Sequence, residues 1–524
     1  MPPSRFDTRS GPTAVRSAAA GLGKDGALSA AAFWAAFLFL FLVAALPVLR
    51  VDLPPIFDYP NHLARMDLLL RLPLSEALQR YYELRWRPIP NLGMDLVVPT
   101  LAGVLPLAWA GKAFVLGTFA LIAAGAGLVH RVAAGRWSIW PLFAFLFLYS
   151  RVLLWGFLNY LFGIGLALVG FALWITLSQR NALARLAISG ALALALFFAH
   201  LMACVIYGVL VAGYELSALW RSRPWPWGRA VARLAIAGLP FLPPSALWLF
   251  VGDGAEAGAG AIHYGRLDRK LDLLFSVFDN YDRVFDIACF ILLVLAAGFA
   301  YARRHLVIVP ALRLPLVLLG IVYLAAPAQL MTASAVDHRL PLVIAVVLAA
   351  ATSAPALTNR RARLVALAGL ALFLARMAQV WVNWGEADAV YARLLPILDQ
   401  VPRGGRLAVG YPPEAVGSTA IPTAHIPVLA IVRRDAFVPT LFAYRGQQPV
   451  ALTPEGARLA SLAEPAAVWH ALMDEDAGRA GALQALREFD AVLLLDRRPF
   501  SPKPVPGLVP LAGEPGFVLY RVER

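Results

Sequence analysis

The chain has 524 residues, of which 60% are hydrophobic and only 15% charged, with a mean hydropathy of +0.68. A soluble domain sits nearer about 45–50% apolar and about 25% charged, so a soluble enzyme, a disordered regulator and a disulfide scaffold are all excluded. The net charge of +14 would point to nucleic acid in a soluble protein, but here its placement reports membrane orientation instead.

Residues 1–29, rich in Ser, Gly, Ala and Arg, read as a disordered cytoplasmic tail. Eleven membrane spans follow, at 30–49, 108–129, 137–150, 160–178, 183–199, 201–219, 231–251, 286–302, 314–331, 340–357 and 364–383. With the N-terminus in the cytoplasm, the inside segments hold 18 basic residues against Asp7 and Asp25. The outside connections hold 12 basic and 12 acidic residues, so their charges cancel. The long basic lead before the first span argues for a retained anchor rather than a cleaved signal. No internal repeat of transporter type is visible.

From Trp384 to Arg524 the composition becomes that of a small soluble α/β domain, placed on the outer face. Ala387–Leu398 and Leu483–Phe489 read as helices, and Arg406–Gly410, Ala491–Leu495 and Gly516–Val522 as strands. Ile426–Val432 is ambiguous. Cys204 and Cys289 both lie in apolar runs, which excludes a disulfide framework or a thiolate metal site.

Polar groups persist beside a bilayer where something uses or pairs them. The densest set lies in the first outer loop, residues 50–92. Pro60 suits a helix start, which puts Asp58, His62 and Arg65 on one helix face. Asp58 has two compatible readings, a catalytic carboxylate and an N-cap for that helix. Ser75–Trp86 reads as an amphipathic helix whose Tyr81, Tyr82 and Trp86 suit the headgroup layer. Further outer-facing candidates for substrate or phosphate binding are Arg151, Asn159, Tyr160, His200, His338 and Arg339, because a guanidinium fork matches phosphate oxygens. Asp52 and Asp337 are second-choice carboxylates. No Walker A, HExxH, GxSxG or CxxC pattern occurs. No cofactor is evident; outer-loop carboxylates could hold a divalent cation through oxygen ligands, but no spacing defines such a site.

One N-terminal span, a long first outer loop with an acidic residue soon after it, many further helices and a C-terminal outer domain together resemble the GT-C superfamily. These are integral-membrane glycosyltransferases, among them the protein O-mannosyltransferases and the lipid A aminoarabinose transferase. The resemblance implies a multi-pass protein of the bacterial cytoplasmic membrane with a periplasmic terminal domain. It also implies a polyprenyl-phosphate sugar donor, a glycan, lipid or protein acceptor, and membrane lipids as surroundings. The family's first-loop aspartate corresponds to Asp58 in FDYPNHLAR, with Asp52 second, and its phosphate-holding arginine to Arg65, Arg151 or Arg339. Tyr59 stands where some members carry a second acidic residue. Two other functions fit the architecture: a transporter or flippase of lipid-linked sugars, and a non-catalytic envelope assembly protein. A transporter predicts charge deep in the spans, where only Lys112, Glu215 and Arg376 are found.

Overall fold

The computed structural model describes residues 26–178, 181–221, 227–251, 262–331, 333–355, 357–416, 421–473 and 479–523. Most of the expected tail, residues 1–25, lies outside them. Its end is ordered: Ala27–Leu28 pairs with Trp137–Ser138 as a two-stranded ribbon, and Ser29 caps the first helix, accepting a hydrogen bond from Ala32 N at 3.1 Å.

Among the described residues, eight helices are long and apolar enough to cross a membrane: Ala30–Arg50, Leu107–Ala134, Leu158–Leu177, Ala182–Ala199, Leu201–Arg221, Trp227–Phe250, Arg283–Ala302 and Asn359–Leu398. Three shorter apolar segments run between the same two ends. The ribbon at Trp137–Ser138 marks one end of the first, and Leu154 and Trp155 accept backbone bonds from Phe57 and Asp58 at the other. The chain from 137 to 155 therefore traverses the bundle beside the first helix. It is not the α-helix expected over 137–150: Trp140–Phe147 is a 3₁₀-helix, followed by the short α-helix Arg151–Trp155. A 3₁₀ turn rises about 2.0 Å per residue against 1.5 Å for an α-helix, so fewer residues cover the distance. The other two are Arg313–Ala325 and Leu340–Ala351, joined at one end by the ribbon of Val307–Ile308 with Thr352–Ser353. The chain is thus a polytopic helical membrane protein; of the eleven spans expected from hydropathy, eight helices among the described residues have the length and composition to cross.

Lipid tails give little drive to bring apolar helices together, so close backbone approach must do so. The tightest helix pair is Leu107–Ala134 with Leu158–Leu177, and it meets at glycines. A Cβ on Gly125 would lie 2.7 Å from Leu168 Cβ, and one on Gly165 would lie 2.6 Å from Leu121 Cβ. Of the charges deep in the spans, Lys112 donates to the Val51 carbonyl and the other two, Glu215 and Arg376, are in ion pairs. Arg376 and Asp286, both fully buried, meet at 2.7 Å, and Arg376 also donates to Phe278 O at 3.0 Å. Glu215 takes Arg185 at 2.5 Å, Arg233, and the Trp174 indole at 2.8 Å.

Asn359–Leu398 is a single 40-residue helix. At 1.5 Å per residue it is about 60 Å long, twice the hydrocarbon thickness, so it leaves the bilayer and enters the terminal domain unbroken. The compositional boundary at Trp384 falls inside it, and Ala387–Leu398 is its last part rather than a separate helix. Beyond it a four-stranded sheet has the order Leu508–Glu514, Phe517–Val522, Ala491–Leu495, Leu407–Gly410; the last two strands are parallel and the rest antiparallel.

The first outer loop belongs to this domain as much as to the bundle. Ser75–Trp86 is not an amphipathic helix: Glu76–Gln79 is one helical turn, and Tyr82–Leu84 is a strand paired antiparallel with Val450–Leu452. Tyr81 and Tyr82 are buried rather than in the headgroup layer. Both pack on Phe437, and the Tyr82 hydroxyl donates to Val438 O at 3.0 Å. Trp86 remains exposed.

Removing one partner of a buried ion pair leaves an uncompensated charge. Asp286→Ala is therefore expected to cost about 3–5 kcal/mol. The double change Asp286→Leu with Arg376→Met should recover most of it, read as thermal unfolding in detergent.

Candidate functional site

The helix Tyr59–Arg71 starts where the pattern places it, with Pro60 in its first turn and Asp58 at the N-cap position. Yet the Asp58 side chain makes no capping hydrogen bond. Its Oδ1 instead lies 3.2 Å from Nδ1 of His425, a residue of the terminal domain. Of the two readings of Asp58, the cap is the one its geometry does not support.

What seats Asp58 is the turn after the Arg151–Trp155 helix. Gly156 has φ +98°, a conformation that glycine adopts without penalty. A Cβ there would sit 2.6 Å from Asp58 Cβ and 2.9 Å from Asp58 N. Phe57 N donates to Leu154 O at 2.8 Å and Asp58 N to Trp155 O at 3.3 Å, so loop and turn are bound backbone to backbone.

His62 and Arg65 face the same way as Asp58, as the helical spacing requires, but both are spent. Arg65 is fully buried and grips Asp95 with Nε at 2.6 Å and Nη2 at 3.0 Å. Its Nη2 also lies 3.1 Å from His62 Nδ1. An arginine only donates, so His62 Nδ1 must be the acceptor and Nε2 must carry the proton. That proton is given to Gly156 O, at 3.1 Å. Burial, aided by the neighbouring Arg65, pushes the His62 imidazole down to about 4. Both nitrogens of His62, expected as a catalytic group, are therefore engaged within the protein. Arg65, committed to Asp95, is likewise no phosphate ligand.

Arg339 differs. It sits above the Phe157 ring, its guanidinium carbon 4.3 Å from the centroid, with Tyr160 farther off at 6.0 Å. Its Nη2 donates to Ser334 O at 3.3 Å, while Nε is buried without a partner. No carboxylate pairs with it among the described residues, although Asp58 is near enough for its charge to favour the cation. Burial pulls the guanidinium down to about 10, which leaves it charged at neutral pH. Beside it His338 lies against Trp155, ring centroids 5.0 Å apart, with Nδ1 buried and unpartnered. Burial lowers the His338 imidazole.

The remaining candidates divide. Tyr160 donates its hydroxyl to Arg339 O at 2.8 Å, so it positions that residue from behind. His200 borders Tyr160, ring centroids 5.3 Å apart, and its Nδ1 accepts from Met202 N at 3.2 Å. Asn159 is structural rather than substrate-binding: its Oδ1 accepts from Met94 N at 2.6 Å and its Nδ2 donates to Asn91 O at 2.6 Å. Arg151 is held by Asp279 at 2.6 Å, which argues against a phosphate role. Asp337 is buried against Lys270 at 3.4 Å, with Oδ1 unpartnered. Asp52 joins a different group, its backbone N bonded to Asp388 Oδ1 at 3.0 Å. No cluster of three or more His, Cys, Asp or Glu suited to a metal occurs among the described residues.

His425 is what sequence reasoning missed. Its Nδ1 lies 3.2 Å from both Asp58 Oδ1 and Phe57 O, and its ring packs between Phe57 at 4.3 Å and Phe442 at 5.1 Å. No local pattern marks it; the signal is that the first loop and the terminal domain fold as one body.

Two outcomes follow. Gly156→Ala forces a side chain onto Asp58 at positive φ and should cost at least about 1 kcal/mol. For His62, the unfolded chain binds a proton near the ordinary histidine value of about 6.5 and the folded chain only near 4. Stability should therefore fall as pH drops through that window, by up to about 3 kcal/mol, and His62→Gln should flatten this slope in unfolding measured from pH 7 to 4.

No protein-family profile matches the sequence, and no curated protein is similar to it. Among solved structures the chain is similar to ArnT from Cupriavidus metallidurans, crystallised bound to undecaprenyl phosphate; the TM-score is 0.47 and the identity 12%, over 92% of this chain and 97% of that one.

Proposed function

We propose that this protein transfers a sugar from a polyprenyl-phosphate donor to an acceptor at the outer face of the membrane. The observation that carries the reading is an Arg339 with no carboxylate partner among the described residues, within electrostatic reach of the partly exposed carboxylate of Asp58. A partly desolvated cation without a counter-ion is costly unless an anion completes it. A lipid phosphate entering from the bilayer would do so, since the half-buried guanidinium gives only Nη2 to a protein acceptor, Ser334 O, among the described residues.

In such a transfer the bond between the anomeric carbon and the phosphate oxygen breaks, and its electron pair stays on the phosphate. Arg339 stabilises that developing charge. The acceptor oxygen attacks the anomeric carbon and gives up its proton on the Asp58 side of the site. The sugar–phosphate bond is already activated, so no nucleotide is required. The balanced charge of the outer connections against the basic inside segments supports an outer-face site.

Ion-coupled transport would call for charge free to move within the spans. Arg376 is instead tied to Asp286, and Glu215 to Arg185 and Arg233.

The test uses the full chain in nanodiscs with undecaprenyl-phosphate hexoses and pentoses carrying a radiolabel, and a membrane extract as acceptor. Asp58→Asn should slow transfer by about 100-fold or more. Arg339→Ala should weaken binding of undecaprenyl phosphate by about 10-fold or more, the worth of a charged hydrogen bond, with Arg339→Lys recovering part of it. Transfer at the wild-type rate by Asp58→Asn would falsify the assignment.

A further inference from the structure

We infer that His425 of the terminal domain takes the acceptor's proton through Nε2, with Asp58 as the carboxylate that orients it. This rests on the transferase reading above. The geometry of one nitrogen fixes the state of the other. Nδ1 faces two acceptors, Asp58 Oδ1 and Phe57 O, both at 3.2 Å, so it carries a proton. In the neutral ring the lone pair is then on Nε2. That atom has no partner among the described residues and is not among the buried, orphaned polar atoms, so it keeps some exposure to solvent. His425 is only 6% exposed, which confines access to this one edge of the ring. Phe57 and Phe442 hold the ring in place.

The contrast with His62 makes the assignment specific. Both histidines lie close to Asp58, but His62 spends both nitrogens, on Arg65 and Gly156 O. His425 spends one. The charged and titratable groups around it are Asp58 and His62 of the first loop, with the Arg65–Asp95 pair behind His62 and Arg339 beyond Asp58.

The step balances. The acceptor hydroxyl gives its proton to His425 Nε2 as its oxygen bonds to the anomeric carbon. The carbon–oxygen bond to the phosphate breaks, and its electron pair remains on the phosphate that faces Arg339. The imidazolium formed is held by the Asp58 carboxylate, then returns its proton to water. The terminal domain, on this reading, supplies part of the reacting centre rather than a lid.

The experiment uses full-length protein in nanodiscs with the same labelled undecaprenyl-phosphate sugars. His425→Gln keeps an N–H for Asp58 but offers no base. It should bind undecaprenyl phosphate as the wild type does, lose about 100-fold or more in kcat with little change in the donor KM, and lack the acid limb of the wild-type pH–rate profile. His425→Ala should regain part of its rate on addition of free imidazole. An active wild type with His425→Gln at the same rate and pH profile overturns the proposal and leaves the transferase reading standing. Loss of donor binding in step with the loss of rate would mean a structural role and also overturns it. A wild type that transfers none of the sugars overturns the transferase reading, and this proposal with it.

Discussion

An arginine taken out of water needs an anion, and the way this chain meets that need organises the end of the bundle where Asp58 lies. Arg65 has Asp95, Arg151 has Asp279 and Arg376 has Asp286, at 2.6, 2.6 and 2.7 Å. Each pair ties two separate stretches of chain together. Arg65–Asp95 fixes the loop helix to the helix Gly93–Ala102, and Arg376–Asp286 joins the longest helix to the span Arg283–Ala302. These satisfied pairs make up a rigid frame. Arg339, cushioned by Phe157 and backed by Tyr160, has no such carboxylate among the described residues, and the proposed phosphate would take that place.

The frame also sets how the two histidines near Asp58 differ in their partners. His62 links Arg65 to the Gly156 carbonyl and so transmits the position of the Arg65–Asp95 pair to the turn on which Asp58 rests. Its neutrality is a condition of that role, since a protonated ring would present a donor to the Arg65 guanidinium. His425 approaches from the opposite side on a domain that is anchored in three ways: by the unbroken helix Asn359–Leu398, by the strand pairing of Tyr82–Leu84 with Val450–Leu452, and by Arg71 bridging Asp67 and Asp435. Three independent attachments keep the Asp58–His425 distance from depending on any single weak contact.

Much of the fold was legible because the relevant signals are local. A run of about 20 apolar residues is a span wherever it occurs, and the strand Ala491–Leu495 is found residue for residue where its buried, β-branched and leucine-rich pattern puts it. The failures share a cause. Ser75–Trp86 has a periodicity that suits a helix, but its edge groups find partners at Val450–Leu452, and those long-range bonds override the local preference. Residues 137–150 are apolar enough for a span, yet Trp140–Phe147 within them is wound as 3₁₀-helix, and hydropathy does not distinguish the two windings.

The site divides along the same line. By itself the sequence determined the membrane class, the end of the bundle to search, the helix beginning near Pro60 and the common face of Asp58, His62 and Arg65, because period and composition are properties of short stretches. It named six arginine or histidine candidates, His62, Arg65, Arg151, His200, His338 and Arg339, but could not rank them. Only the tertiary structure decided that Arg65 and Arg151 are paired with carboxylates, that both nitrogens of His62 have partners, that Arg339 has no carboxylate partner among the described residues, and that Asp58 faces His425. The two residues of that last pair are 367 positions apart in the chain, and whether a charge is spent or available depends on what folds against it.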